Sequence, residues 1–216
     1  MNERPASVDA TALSLAGRIM SAYAGQKRFI VAISGPPGSG KSTLADAVAE
    51  AINAKTGTDC STVFPMDGFH FDDAILNERG DRPRKGAPFT FDVDGYRHTL
   101  MRLHETDGDV AVPVFDRSLE LSRGSARLIT PKHRFIISEG NYLLLDQAPW
   151  SGLAPMFDLT VSIVEPEAEL ARRLHARWVH YGLTPEQITA KMEGNEMPNV
   201  RLVLNGSRKA DVLVGD

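Results

Sequence analysis

Short continuous apolar runs alternate along this chain with segments whose apolar residues return every three or four positions. The runs at 29–33, 61–66, 135–138, 159–164 and 210–214 read as strands with no wet face, the mark of a parallel sheet covered on both sides. Between them the period changes. Leu13, Leu15, Ala16, Ile19, Met20 and Tyr23 give one helical face over 11–24; Leu44, Val48, Ala51 and Ile52 give a second; Tyr96, Leu100 and Leu103 a third. A further helix is expected over about 167–181, and another starts at Thr184-Pro185, where Thr can cap and Pro suits the first turn. Residues 110–115 and 126–130 can pair as strands. Residues 77–92 are charged, punctuated by Gly and Pro and without period, hence a loop. The pattern predicts a three-layer α/β/α fold around a mostly parallel five-stranded sheet, with an excursion over about 67–131. There is no repeat and no linker, so residues 1–216 read as a single domain.

The link between the first strand and its helix carries the chemistry. Gly35, Pro36, Pro37, Gly38, Ser39, Gly40, Lys41, Ser42 and Thr43 fit G-x-x-x-x-G-K-[ST], the phosphate-cradling P-loop, in its required strand–loop–helix context. The glycines let several N–H groups converge on one point, and the helix N-terminus adds partial positive charge. Lys41 can reach outer phosphates, and the Ser42 hydroxyl can ligate Mg²⁺. In open α/β sheets ligands sit beyond the carboxyl ends of the strands. Asp67 ends the second strand and Glu139 the third, so two carboxylates converge on the phosphate site, suited to Mg²⁺ and proton transfer. Read locally, the less favoured alternatives are that Asp67 caps the turn at Gly68 and that Glu139 is a solvated strand end.

Composition narrows the class. Lys and Arg number 24 against 28 Asp and Glu, a net charge of −4 that offers no general attraction to nucleic acid or anionic lipid. The single Cys60 rules out an internal disulfide and suits a reducing cytoplasm. No apolar run approaches a membrane span, and the first residues lack the apolar core of a signal peptide, so a cytoplasmic location is expected. His98, His104, His175 and His180 have no metal-ligand spacing with Cys60, which argues against zinc.

The P-loop, Met66-Asp67-Gly68-Phe69, Pro88-Phe89-Thr90-Phe91-Asp92, Pro113-Val114-Phe115-Asp116 and Ile137-Ser138-Glu139-Gly140 occur in that order. The set resembles the P-loop small-molecule kinases that include phosphoribulokinase, uridine kinase and bacterial pantothenate kinase, over roughly 28–214. Within them, Met66 to His70 together with Leu76 to Gly80 and Arg84 to Pro88 is most similar to bacterial proteins labelled fructose transport system kinases, fructokinase-like by that label. The resemblance implies ATP and Mg²⁺ as cofactors and a hydroxyl-bearing small molecule as acceptor. It implies Asp67 as catalytic base near the metal, Glu139 and Ser42 around the metal, and Asp92 at acceptor hydroxyls. Asp92 also reads as the N-cap of the helix it precedes. The resemblance implies a lid over about 167–198, whose arginines fall on Arg172, Arg173 and Arg177, of which Arg173 and Arg177 share a helical face. Asn195-Glu196-Met197-Pro198 resembles an N-x-x-P segment whose Asn contacts substrate or nucleotide, although locally it reads as a turn.

Departures concern the acceptor. Uridine kinases carry Tyr where this chain has Phe115 and His where it has Glu120; pantothenate kinases carry Ser-His where it has Asp116-Arg117. His70, Asp92, Asp116 and Arg117 form a polar set able to read several hydroxyls, as a sugar requires. Trp178 and Tyr181 are expected to pack in the core or lid. Two other classes leave weaker traces in the sequence. Asp92-Val93-Asp94-Gly95 matches a GTPase D-x-x-G by spacing, yet no N-K-x-D motif accompanies it, which also favours ATP over GTP. Leu121 to Ser125 faintly echoes a transporter ATPase signature. A nucleotide-binding regulator without transfer would not need both Asp67 and Glu139. The sequence leaves open whether the chain pairs as a homodimer.

Overall fold

Phe29, Val31 and Ile33 point to one side of the first strand and Ile30 and Ala32 to the other, and every one of them is buried. A strand apolar on both faces needs a layer on each side. The computed structural model, which describes residues 4–215, supplies both. The main sheet runs in the order β2 (Ser61–Pro65), β5 (Phe135–Gly140), β1 (Phe29–Ser34), β6 (Leu159–Ile163), β7 (Val212–Val214), with every pair parallel. On one face, α1 (Ala6–Ala22) and α2 (Lys41–Thr56) bury Leu15, Ile19, Val48 and Ile52 against Phe29, Val31, Ile33 and Ile137. On the other, α4 (Val93–Glu105), the chain after β5 and α7 (Met197–Gly206) bury Tyr96, Leu100, Tyr142, Trp150 and Val203 against Ile30, Phe64 and Ile136. A third small cluster, Leu170, Leu174, Met197 and Val200, joins α5 (Glu167–His180) to α7.

The predicted excursion is an antiparallel hairpin, β3 (Val110–Asp116) with β4 (Leu121–Ile129), together with the chain between β2 and α4. β4 begins five residues earlier than its apolar pattern suggests, because most of it faces solvent. Residues 77–92 are not a plain loop. A short helix, α3 (Asp73–Arg79), is capped by Asp72, whose Oδ1 accepts from the Ala74 N–H, and 3₁₀ turns follow at Arg82–Arg84 and Pro88–Thr90. With Leu76 the only buried side chain of α3, there was no apolar stripe to read.

The lid also departs from expectation. α6 (Pro185–Lys191) starts at the expected Thr184, with a complete capping box to Gln187. It does not end in a turn: a π-helical segment, Met192–Glu196, carries it directly into α7. Asn195 therefore sits in helical backbone. Burial of Met197, Val200 and Val203 holds the helix through Pro198, whose missing N–H interrupts the backbone ladder just after the π-helical segment.

Candidate active site

The parallel register sets two carboxylates side by side. Glu139 lies level with Ile33 on β1 and Pro65 on β2, one residue before the last position of β5. β2 then stops at its proline and turns into the 3₁₀ segment Met66–Phe69, which carries Asp67. Two glycines make the approach possible. A Cβ on Gly140 would lie 2.5 Å from the Met66 Cβ, and one on Gly68 would lie 2.5 Å from the Pro113 carbonyl oxygen of β3. The Asp67 turn is thus wedged between β5 and the hairpin.

The P-loop closes on itself through a Ser39 N–H bond to the Pro36 carbonyl at 3.1 Å and delivers Lys41 as the first residue of α2. Leu174 of α5 lies against Gly38, so the lid rests on the loop. Glu139 is 5% exposed. The reading of it as a solvated strand end fails, because neighbouring strands cover both of its sides. Burial pushes its carboxyl up to about 7, helped by Asp67 and opposed by Lys41 and the Ser42 hydroxyl.

A cavity of about 850 Å³ runs from Pro37, Gly38 and Lys41 past Asp67 to the lid. A smaller one of about 210 Å³ shares Asp67, Phe115 and Arg117 with it and adds Ser42, Asp46 and Glu139. His70 lines the large cavity. Its ring packs on Phe91 and Phe115 with centroids at 4.0 and 4.8 Å, and its Nδ1 donates to the Asp67 carbonyl at 2.8 Å. Burial holds its pKa below the usual histidine value, so the ring is neutral at pH 7 and Nε2 keeps a lone pair for a hydroxyl donor.

Several expected site residues sort differently in space. Asp92 caps α4, its Oδ1 accepting from Gly95 N–H at 2.9 Å, and it is exposed and does not line the cavity. Asp116 organises the hairpin turn, accepting from the Ser118 hydroxyl at 2.6 Å and from the Ser118 and Leu119 N–H groups. Phe115 and Arg117, on either side of it, do line the cavity. Arg173 and Arg177 part company. Arg173 is held by Glu165 and Glu169 at 3.1 and 2.7 Å, outside the cavity wall. Arg177 faces the cavity and pairs with Glu196 at 3.1 Å. Asn195 lines it too, donating to the Lys85 carbonyl at 2.9 Å and accepting from Arg84 Nε at 3.2 Å. Trp178 and Tyr181, expected in packing roles, line the cavity, with Tyr181 60% exposed.

Lys85 escaped the sequence reading. Its side chain is 6% exposed, and Nζ donates to Asp73 Oδ1 and to the Glu120 carbonyl, both at 2.7 Å. One buried ammonium thereby ties α3, the 3₁₀ turns and the hairpin together. Asp73 lies twelve residues away and Glu120 thirty-five, so no local pattern announces the contact.

The sequence pattern of the Phosphoribulokinase / Uridine kinase family matches residues 30–215. The chain belongs to that family. Among relatives, the protein YggC of Escherichia coli is 36% identical over 189 residues, covering 88% of this chain and 78% of its own. A uridine kinase of Shewanella amazonensis is 28% identical over 192 residues, 88% of each chain. A solved structure described as a "putative fructose transport system kinase", from Silicibacter sp. TM1040, superposes with a TM-score of 0.88 at 36% identity, over 94% of this chain and 98% of that one. The P-loop, the sheet order and this kinship agree: the chain is an ATP-dependent small-molecule kinase of this family.

Proposed function

We propose that this kinase transfers the terminal phosphoryl group of ATP to a hydroxyl of a small metabolite seated between Asp67 and the excursion. The observation that carries the reading is that Asp67 lines both cavities, with the P-loop on one side and His70, Lys85 and Phe115 on the other. In this reading the backbone N–H groups of residues 35–43 and Lys41 hold the triphosphate, and Arg177 closes over it from the lid.

Asp67 accepts the proton of the acceptor hydroxyl as that oxygen bonds to the γ-phosphorus. The bond from phosphorus to the bridging oxygen breaks, and ADP leaves with the electron pair. Neutral His70 orients a second hydroxyl through Nε2. The donor set fits Mg²⁺: one hydroxyl and two carboxylates, Ser42, Asp67 and Glu139, share the small cavity, too few for an all-protein cage but typical of an ion completed by phosphate oxygens and water. Bound there, Mg²⁺ would neutralise charge on the moving phosphoryl group. Lys41 and the Ser42 hydroxyl already favour the ionised form of Glu139 that such a site needs.

A sugar such as fructose suits a wall of side chains that read hydroxyls, and the Silicibacter protein's name points the same way. A uridine-type acceptor is the alternative; it fits less well, because the ring of Phe115 is already packed between His70 and the Lys85 ammonium. Coupled ADP release over fructose, other sugars, nucleosides and pantothenate tests the reading. One acceptor stimulating release above basal hydrolysis supports it, and hydrolysis indifferent to every acceptor overturns it.

A further inference from the structure

The protein carries a net charge of −4, yet its cavity is cationic. The excursion contributes Arg82, Arg84, Lys85 and Arg117 to the lining, the lid Arg177 and Lys191, and the P-loop Lys41. Only Asp67, Glu120 and Glu196 oppose them there, leaving an excess of four positive charges. Lys41 and Arg177 suffice for the role proposed at the triphosphate. The four cations of the excursion lie on the acceptor's wall, and one of them is built differently from the rest.

Arg82 and Lys85 share Asp73, Lys85 also lies 4.0 Å from the Glu120 carboxylate, and Arg117 pairs with Asp67. Arg84 forms no ion pair among the described residues. Its Nε donates to Asn195 Oδ1 at 3.2 Å, and its guanidinium lies 5.8 Å from the Phe89 ring centroid. With Nε engaged, the two Nη groups remain as a fork, the geometry that carboxylate and phosphate accept in a bidentate way. The backbone under it is fixed. Arg84 N–H donates to Asp81, Ala87 N–H donates to the Arg84 carbonyl, and the Tyr142 hydroxyl holds the Gly86 carbonyl at 2.6 Å. A half-buried, oriented and unneutralised guanidinium in a cationic cavity is costly to maintain unless an anion meets it.

We propose that the acceptor is an anion, a hydroxyl-bearing molecule whose carboxylate or phosphate group is bound by Arg84 with Asn195 orienting the fork. The proposal rests on the phosphotransferase reading for the acceptor's hydroxyl and replaces the neutral sugar named there with an acidic or phosphorylated one, but the anion site can be tested without turnover.

The wild-type protein, its P-loop saturated with Mg²⁺ and a non-hydrolysable ATP analogue, is titrated calorimetrically with matched alcohols. One arm is hydroxy acids from glycerate to gluconate. A second is sugar phosphates from glycerol 3-phosphate to fructose 6-phosphate. The third is their neutral counterparts, glycerol and fructose. A member of an anionic arm is expected to bind more tightly than its neutral counterpart, and which arm it belongs to separates carboxylate from phosphate. Arg84→Gln should weaken that binding roughly ten- to hundredfold. Arg84→Lys, which keeps the charge and loses the fork, should fall between. Retained affinity for the ATP analogue reports that both variants are folded. Preference for the neutral arm, absence of binding in both anionic arms, or equal binding by Arg84→Gln overturns the proposal. So does a loss of analogue affinity in its place, which would assign the fork to the donor. ADP release from the same panel is read separately: if no alcohol stimulates it, the kinase reading fails while the binding result stands.

Discussion

Arg117 Nη2 lies 3.1 Å from Asp67 Oδ2, a contact between the tip of the β3–β4 hairpin and the turn that follows β2. The hairpin is therefore more than a cover over the sheet, since it reaches the carboxylate proposed to take the acceptor's proton. Asp67→Asn keeps the shape and removes the base. Turnover is expected to drop about 10²- to 10⁴-fold with nucleotide affinity little changed. Steady-state kinetics and titration with a fluorescent nucleotide check both halves, and unimpaired turnover would remove Asp67 from the mechanism.

The lid arginines should separate under mutation. Arg177→Ala removes a cation that faces the cavity and is expected to lower kcat by one to two orders of magnitude, as in roughly 1.4 to 3 kcal/mol of lost transition-state stabilisation. Arg173→Ala removes the two ion pairs with Glu165 and Glu169, with an effect on stability of about 0–1 kcal/mol and a much smaller effect on kcat. Equal losses of kcat would show that α5 rotates on closure and brings both arginines in.

Lys85 is predicted to be structural. Lys85→Met keeps the length and apolar stem but strips Asp73 and the Glu120 carbonyl of a buried donor. Arg82 stays on Asp73 at 2.7 Å, so the expected cost is about 2 kcal/mol rather than that of a fully orphaned charge. Urea unfolding measures it, and an unchanged midpoint would refute the clamp.

Gly140→Ala drives a methyl into Met66, whose Cβ and Sδ would stand 2.5 and 2.7 Å away. Overpacking of this kind costs about 1–3 kcal/mol. Because Met66 begins the turn that carries Asp67, activity should fall by more than the loss of folded protein explains. Full specific activity in the variant would show that the turn tolerates displacement.

His133 should confer acid sensitivity. Its Nδ1 accepts from the Thr130 N–H at 3.0 Å, which requires the unprotonated atom, and the ring is buried beside Lys132 and Arg28, with Asp59 the only opposing charge facing it among the described residues. Burial, then those cations, set its folded-state pKa below the ordinary value. Between the two pKa values the unfolded chain binds the extra proton, so stability is complete above about pH 6.5 and declines as pH falls below it. Melting temperatures followed from pH 7 downward should fall less steeply for His133→Gln, and parallel curves would discount the residue.

Much of this kinase was written locally. The five apolar runs specified a covered parallel sheet because a strand without a wet face has no other stable setting, and the P-loop specified its own strand–turn–helix geometry. Asp67 and Glu139 were legible as strand ends, since chain order and sheet type together place such residues at one edge. Roles that depend on partners far along the chain were not legible. Arg173 and Arg177 have the same residue type and share a helical face by spacing, and only the positions of Glu165, Glu169 and Glu196 separate them. Asp92 and Asp116 resemble substrate ligands in sequence, yet each is taken up by nearby N–H or hydroxyl groups. Lys85, Arg84 and Asn195 acquired their meaning when the lid met the excursion across 110 and 111 residues. The sequence determined the main sheet, the helices that cover it and the P-loop. The tertiary structure decided which charges are already paired, because neutralisation depends on distances between segments that no local pattern encodes.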